Sequence, residues 1–211
     1  MSDERPGAER WVPADPSVDD LREAVHACRG CELWRPATQA VFSDGPADAR
    51  LVLVGEQPGD QEDREGEPFV GPAGRVLHDA LEAAGIDPAG VYVTNAVKHF
   101  RFTERGKRRI HKKPAVGHVR ACHPWLDAEL AVVRPRVVVC LGATAARAVL
   151  GREVKVTAER GVLGGSDGPG PRTLVTAHPS AVLRVRGRPG WDEAFDALTA
   201  DLRTAAAAAA A

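Results

Sequence analysis

Five places in the chain hold residues whose types and spacing suit chemistry. Cys28-Arg29-Gly30-Cys31 sets two thiols three positions apart, enough for two ligands of one metal centre, and the spacing alone leaves zinc, iron–sulfur and redox-thiol chemistry open. The segment Gly55-Glu56-Gln57-Pro58-Gly59-Asp60 combines turn formers with two acids and an amide, so its backbone can turn sharply and present peptide N–H groups to a flat polar ligand. No Gly-Lys-Ser/Thr follows, and the glycines do not satisfy the dinucleotide fingerprint, so it is not a phosphate loop. Taken alone, Glu56 and Asp60 read better as solvated turn residues than as functional acids. Phe69, between Pro68 and a Val-Gly-Pro turn, is either a stacking surface or core, while Asn95 carries an acceptor and a donor side by side. His178-Pro179-Ser180 is the fifth place.

Elements that would position these groups are visible in the apolar pattern. Leu51 to Gly55, Val91 to Asn95, Val137 to Leu141 and Thr173 to Ala177 are short runs rich in β-branched residues without clean alternation, as expected of strands buried on both faces. Helical stripes lie between them: Val76, Leu77, Ala80, Leu81 and Ala84 after Pro72, then Val119, Cys122, Leu126, Leu130 and Val133 before Pro135. Further helices are expected from about Val18 to Cys28, from Ala143 to Leu150, and from Trp191 onward. The expected fold is α/β, a three-layer sandwich with a four-stranded parallel sheet flanked by helices. One domain is expected over residues 1–204, followed by a low-complexity alanine tail, 205–211, which favours helix without offering a face to bury. In such a sheet ligands bind beyond the carboxyl ends of the strands, where the first, second and fourth strands deliver GEQPGD, Asn95 and His178.

Composition bounds the rest. With 28 Lys or Arg against 29 Asp or Glu in 211 residues, the net charge is -1, which argues against coating nucleic acid by bulk charge. The charges are nevertheless segregated. Asp60 to Glu67 carries five acids against one Arg, whereas Lys98 to Lys113 carries eight Lys or Arg, two His and one Glu, with Phe100 and Phe102 interleaved as in many nucleic-acid-binding segments. That basic stretch reads as a functional loop, longer than an ordinary strand-to-helix connection. The polar start and the absence of a long apolar run lead us to expect a cytoplasmic protein without a membrane segment. The four cysteines are too few and too unevenly spaced for a secreted disulfide framework.

Taken together, GEQPGD, PFVGPAG, TNAVKH and HPS, in this order at the strand ends with a CxxC upstream, resemble the motifs of uracil-DNA glycosylases, specifically the iron–sulfur fourth family. The resemblance runs from about Cys28 to about Leu202. Within that superfamily Lys107-Arg108-Arg109-Ile110-His111 resembles the hallmark of the UdgX type, and two departures from the ordinary fourth family agree: Gln57 stands where that family commonly has Ala, and the loop after the second strand is expanded. The resemblance implies excision of uracil from single-stranded and double-stranded DNA, with the protein captured covalently on the abasic sugar through His111. His178 would donate to uracil O2, Asn95 would match the N3–H and O4 edge, Phe69 would stack on the extruded base, and Gln57 and Gly59 would complete the base site. Glu56 and Asp60 would lie near the cationic sugar, Glu56 or a backbone carbonyl holding the second nitrogen of His111 as N–H. Lys107, Arg108, Arg109, Ser180 and Arg184 would contact DNA or hold the loop, with Leu183 a candidate wedge. For the metal, the resemblance selects a [4Fe-4S] cluster on Cys28, Cys31, His99 and Cys122, with Cys140, set in an apolar strand, as the alternative to His99. Two other readings stand beside this one: a conventional multiple-turnover glycosylase that leaves a free abasic site, and a non-catalytic metal-stabilised nucleic-acid-binding protein.

Overall fold

A computed structural model describes residues 5–165 and 170–211. Four strands run parallel: β1 (Leu51–Gly55), β2 (Val91–Asn95), β5 (Val137–Leu141) and β7 (Arg172–Thr176). A fifth, the two-residue β6 (Leu163–Gly164), pairs antiparallel to β7, so the sheet is mixed, with order β2-β1-β5-β7-β6. The four expected strands are thus present within one residue of their expected limits. β6 is too short to show a periodic signal. Every residue of β1 and β5 is buried, and alternate side chains serve opposite layers: Val52 and Val54 face one core with Val138 and Cys140, Leu51 and Leu53 the other with Val137 and Val139.

Helices cover both faces. Those named in chain order are α1 (Val18–Ala24), α2 (Asp60–Glu65), α3 (Pro72–Ala83), α4 (Val116–Val133), α5 (Ala143–Leu150), α6 (Val156–Glu159), α7 (Pro179–Leu183) and α8 (Trp191–Ala210). α1, α4 and α5 supply the first core, and α3, α7 and α8 the second. Local chemistry sets their limits. Ser17 and Asp20 form a capping box at the start of α1, Pro72 occupies the first turn of α3, and Arg134 ends α4 at φ 49° just before Pro135.

Two expectations change. The alanine run is not a tail without a face: it continues α8, and Ala205 and Ala209, one turn apart, are buried against the second core. The basic stretch is not a plain loop either. Phe102–Arg105 forms β3 and Arg108–His111 forms β4, paired antiparallel from Phe102↔His111 to Arg105↔Arg108, with Gly106 at φ 61° supplying the left-handed corner of the turn. Among the described residues, no helix is long and apolar enough to cross a membrane.

Candidate active site and cysteine centre

At the carboxyl ends of the strands a cavity of about 440 Å³ opens, lined by residues from every motif singled out above except the CxxC segment. Glu56, Gln57 and Gly59 come from the turn after β1, Phe69 from the next loop, Asn95 from the end of β2, His111 from the end of β4, and His178, Ser180 and Arg184 from the segment after β7. The register explains the meeting of the first two motifs, because Gly55 and Asn95 are partners across β1 and β2. Gly55 must be glycine here: a Cβ would collide with the Asn95 amide oxygen and the Phe69 ring. Phe69 itself sits at φ 58°, unusual for a bulky residue, and Gly74 lets its backbone pass close to α3.

The buried acid Glu62 fixes this arrangement. Its two carboxylate oxygens accept the main-chain N–H of Gly59 at 3.0 Å and of Gly71 at 2.8 Å, tying the turn after β1 to the loop that carries Phe69. Sequence reading missed it among the acids of its run. The signal that was available is its place in the first turn of a helix that follows Gly59.

His178 is held in one tautomer. The Ser180 main-chain N–H donates to Nδ1 at 3.1 Å, and the Ser180 hydroxyl lies 2.9 Å from the same atom, so Nδ1 accepts and the proton resides on Nε2. Burial, then the nearby His111 and Arg184, push its pKa down to about 4. The ring is therefore a neutral donor at neutral pH.

His111 is held differently from the sequence expectation. Gln57 Nε2 faces the carbonyls of Arg101 at 3.2 Å and Lys112 at 3.3 Å, while Gln57 Oε1 accepts the Arg101 N–H at 3.1 Å, which fixes the amide's orientation. The same Nε2 lies 2.9 Å from His111 Nε2, so that ring atom is the acceptor and Nδ1 carries the proton. Glu56 does not hold the ring: its nearer oxygen is 3.7 Å from His111 Nε2, and its other oxygen accepts a hydrogen bond from the Thr144 hydroxyl. Burial lowers the His111 pKa, with Glu56 acting in the opposite direction. Thr144, Ala143 and Gly142 open α5 onto the cavity, and Lys113 joins its lining. The α5 segment carried no signal beyond an ordinary helix start.

Asp60 is the residue the structure moves. It does not line the cavity. Its side chain binds Arg109 and, at 3.1 Å, Arg64. Arg109 in turn reaches Asp63 at 2.6 Å and Thr38 at 3.2 Å, and its guanidinium lies 5.5 Å and 5.0 Å from the ring centroids of Phe100 and Phe102. Arg109 is thus the anchor of the β3–β4 hairpin rather than a free cation. Lys107 and Arg108 are exposed at its turn. Leu183, the candidate wedge, packs partly against the second core.

A second cluster of chemistry lies behind β2. Cys28, Cys31 and Cys122 are all buried, and the first two lie close enough to the Cys122 thiol to disfavour its ionisation. Trp125 Nε1–H donates to Cys28 Sγ at 3.2 Å and the Lys98 main-chain N–H to Cys122 Sγ at 3.3 Å. His99, also buried, has Arg29 of the CxxC segment and His26, just before it, as neighbours. Burial pushes Cys31 up to about 11 and Cys122 up to about 12. Gly30 lets the N-terminal segment close on this centre: Gly7 N–H donates to its carbonyl at 3.1 Å, and a Cβ on Gly30 would strike the Gly7 carbonyl. Cys140 lies within β5, shifted up to about 12 by burial alone. Among the described residues no group of three His, Cys, Asp or Glu side chains is arranged to hold a single metal ion. Buried thiols that receive N–H donors nevertheless suit a bridged iron–sulfur cluster, whose ligands surround it rather than meet at a point.

Comparison with known proteins agrees with this geometry. A profile of the uracil DNA glycosylase superfamily matches residues 42–203. A type-4 uracil-DNA glycosylase of Thermotoga maritima is 37% identical over 174 residues, 80% of this chain and 84% of that protein. One from Pyrobaculum aerophilum is 32% identical over 176 residues, 79% of this chain and 85% of the relative, and one from Archaeoglobus fulgidus is 37% identical over 131 residues, 62% of each. The match spans all the segments that meet at the cavity, and on that footing the chain belongs to the uracil DNA glycosylase superfamily.

Proposed function

We propose that this protein excises uracil from DNA and that His111 then bonds to the exposed sugar. The observation that carries the reading is the pair of opposed histidines at one cavity, His178 with its proton on Nε2 and His111 with its electron pair on Nε2. Breaking the glycosidic bond leaves its electron pair on uracil and a cation at the sugar C1′. Donors aimed at the base oxygens stabilise the departing anion, and His178 Nε2–H is such a donor, with Asn95 on the N3/O4 edge and Phe69 against the ring. Glu56 places a negative charge on the sugar side. The His111 Nε2 pair leaves its hydrogen bond from Gln57, whose amide protons stay on the Arg101 and Lys112 carbonyls, and forms the bond to C1′; the ring becomes an imidazolium and loses its Nδ1 proton to solvent, while uracil takes up one proton. Atoms and charge balance without a further reactant.

Lys107, Arg108 and Arg184 are assigned to phosphates and Ser180 to orienting His178. Cys28, Cys31, His99 and Cys122 would hold a [4Fe-4S] cluster, which supplies a structural staple between the CxxC segment, α4 and the turn after β2. A conventional multiple-turnover glycosylase is the second reading, favoured by the likeness to type-4 enzymes. Incubation with a uracil-containing oligonucleotide separates them. A covalent trap releases at most one uracil per protein molecule, and His111→Ser retains excision and turns over. Many turnovers by the unaltered protein would establish the second reading, and salt-sensitive binding indifferent to uracil would overturn both.

A further inference from the structure

Behind the base-reading end of β2 lies an ion pair that the excision chemistry does not use. The side chains of Lys98 and Glu129 are both 0% exposed. Glu129, on α4, accepts from the Tyr92 hydroxyl at 3.0 Å and the Thr94 hydroxyl at 2.7 Å, and pairs with Lys98 Nζ. The ammonium donates further to Thr94 Oγ1 at 2.6 Å and to the Asn95 carbonyl at 3.0 Å. All three of its protons are therefore used. Two charges in a dry interior are no more stable than an apolar pair of the same volume, so stability does not account for them.

Geometry supplies an account. The turn after β2 is tied to the turn after β1 by the N–H groups of Ala96 and Val97, which donate to the carbonyls of Gly55 at 2.9 Å and Glu56 at 3.1 Å. The Asn95 carbonyl takes its bond from the ammonium, and Asn95 is the residue whose amide lines the cavity. The Lys98 main-chain N–H meanwhile holds Cys122. We propose that Lys98, braced by Glu129, is a positioning residue that fixes the rotation of the β2 terminus, aims the Asn95 amide at the base and joins that turn to the cysteine centre. The inference rests on the uracil-excision reading above.

The test is a neutral pair, Lys98→Met/Glu129→Gln, which removes both charges while keeping an acceptor for Tyr92 and Thr94. If Lys98 positions Asn95, the double variant keeps a Tm close to that of the unaltered protein but excises uracil about 10- to 100-fold more slowly in a single turnover, and affinity for the uracil strand changes less than the rate. Excision at the unaltered rate, or a rate lost only in step with a lowered Tm, would show a purely structural pair and overturn the inference. Should the double variant not fold, Thr94→Val carries the same question, since it keeps the shape and deletes one partner of the ammonium. Its loss of rate must vanish in an Asn95→Ala background; an equal loss there, or none in either, overturns the inference. Excision by the unaltered protein is measured alongside, and its absence would fail the underlying reading rather than this one.

Discussion

His111 has its electron pair on Nε2, and the group that sets this is Gln57. The two residues lie 54 positions apart, which is why Gln57 was legible in the sequence as an unusual residue but its partner was not. Replacing Gln57 by Ala removes the donor that orients the ring. We expect the rate of adduct formation to fall about 10- to 100-fold, in the range seen when an orienting hydrogen bond is removed, with uracil release less affected, read by comparing adduct and abasic product in one gel. Protonation gives an independent check. Burial holds the His111 pKa below the ordinary 6.5, so the neutral ring persists on acidification past that value. Adduct formation should stay level from alkaline pH down to about 6.5 and decline only below it. His178 makes a prediction about stability. Its folded pKa of about 4 lies below the ordinary 6.5, so the unfolded chain binds a proton more readily in between, and its contribution to stability is lost as pH falls from 6.5 towards 4. Tm measured across that interval, compared with His178→Phe, isolates the effect.

The hairpin β3–β4 is the element that carries His111 to the cavity, and Arg109 anchors it to α2. Alternation along β4 sends Arg109 towards α2 and leaves Arg108 and Ile110 exposed. Asp63, whose side chain is 0% exposed, would lose its cation in Arg109→Ala. Leaving a buried charge unpaired costs roughly 3 kcal/mol, a fall in Tm of roughly 6 to 12 °C for a chain of this size. Adding Asp63→Asn should recover part of the Tm but not adduct formation, because the hairpin remains unanchored. Thermal melts and adduct yields of the single and double variants check this. The hairpin was hidden in the sequence because cations occupy both its faces, so no apolar alternation marks the strands. The acids of α2 were hidden likewise: Asp60 looked like a partner for a substrate cation, whereas its cation is Arg109, contributed from across the site.

Over the whole molecule, the sheet was the legible part, because strands buried on both faces write themselves as apolar runs, and its carboxyl edge was where the motifs were bound to meet. What was not legible came from contacts distant in sequence, such as Glu62 bridging Gly59 and Gly71, Thr144 on Glu56, and the alanines of α8 finding a core to bury against. The cysteine centre makes a prediction at this scale too. Purified protein should contain iron and acid-labile sulfide, with His99→Ala lowering the iron content several-fold and Cys140→Ala leaving it unchanged; the reverse pattern would exchange the two as ligands. The central claim, that His111 captures the sugar, is tested most directly by mass. After reaction with a uracil-containing oligonucleotide and denaturation, the complex should weigh the sum of protein and DNA less one uracil, and tryptic mapping should place the DNA on His111. Unmodified protein beside an abasic strand that has gained one water would contradict it.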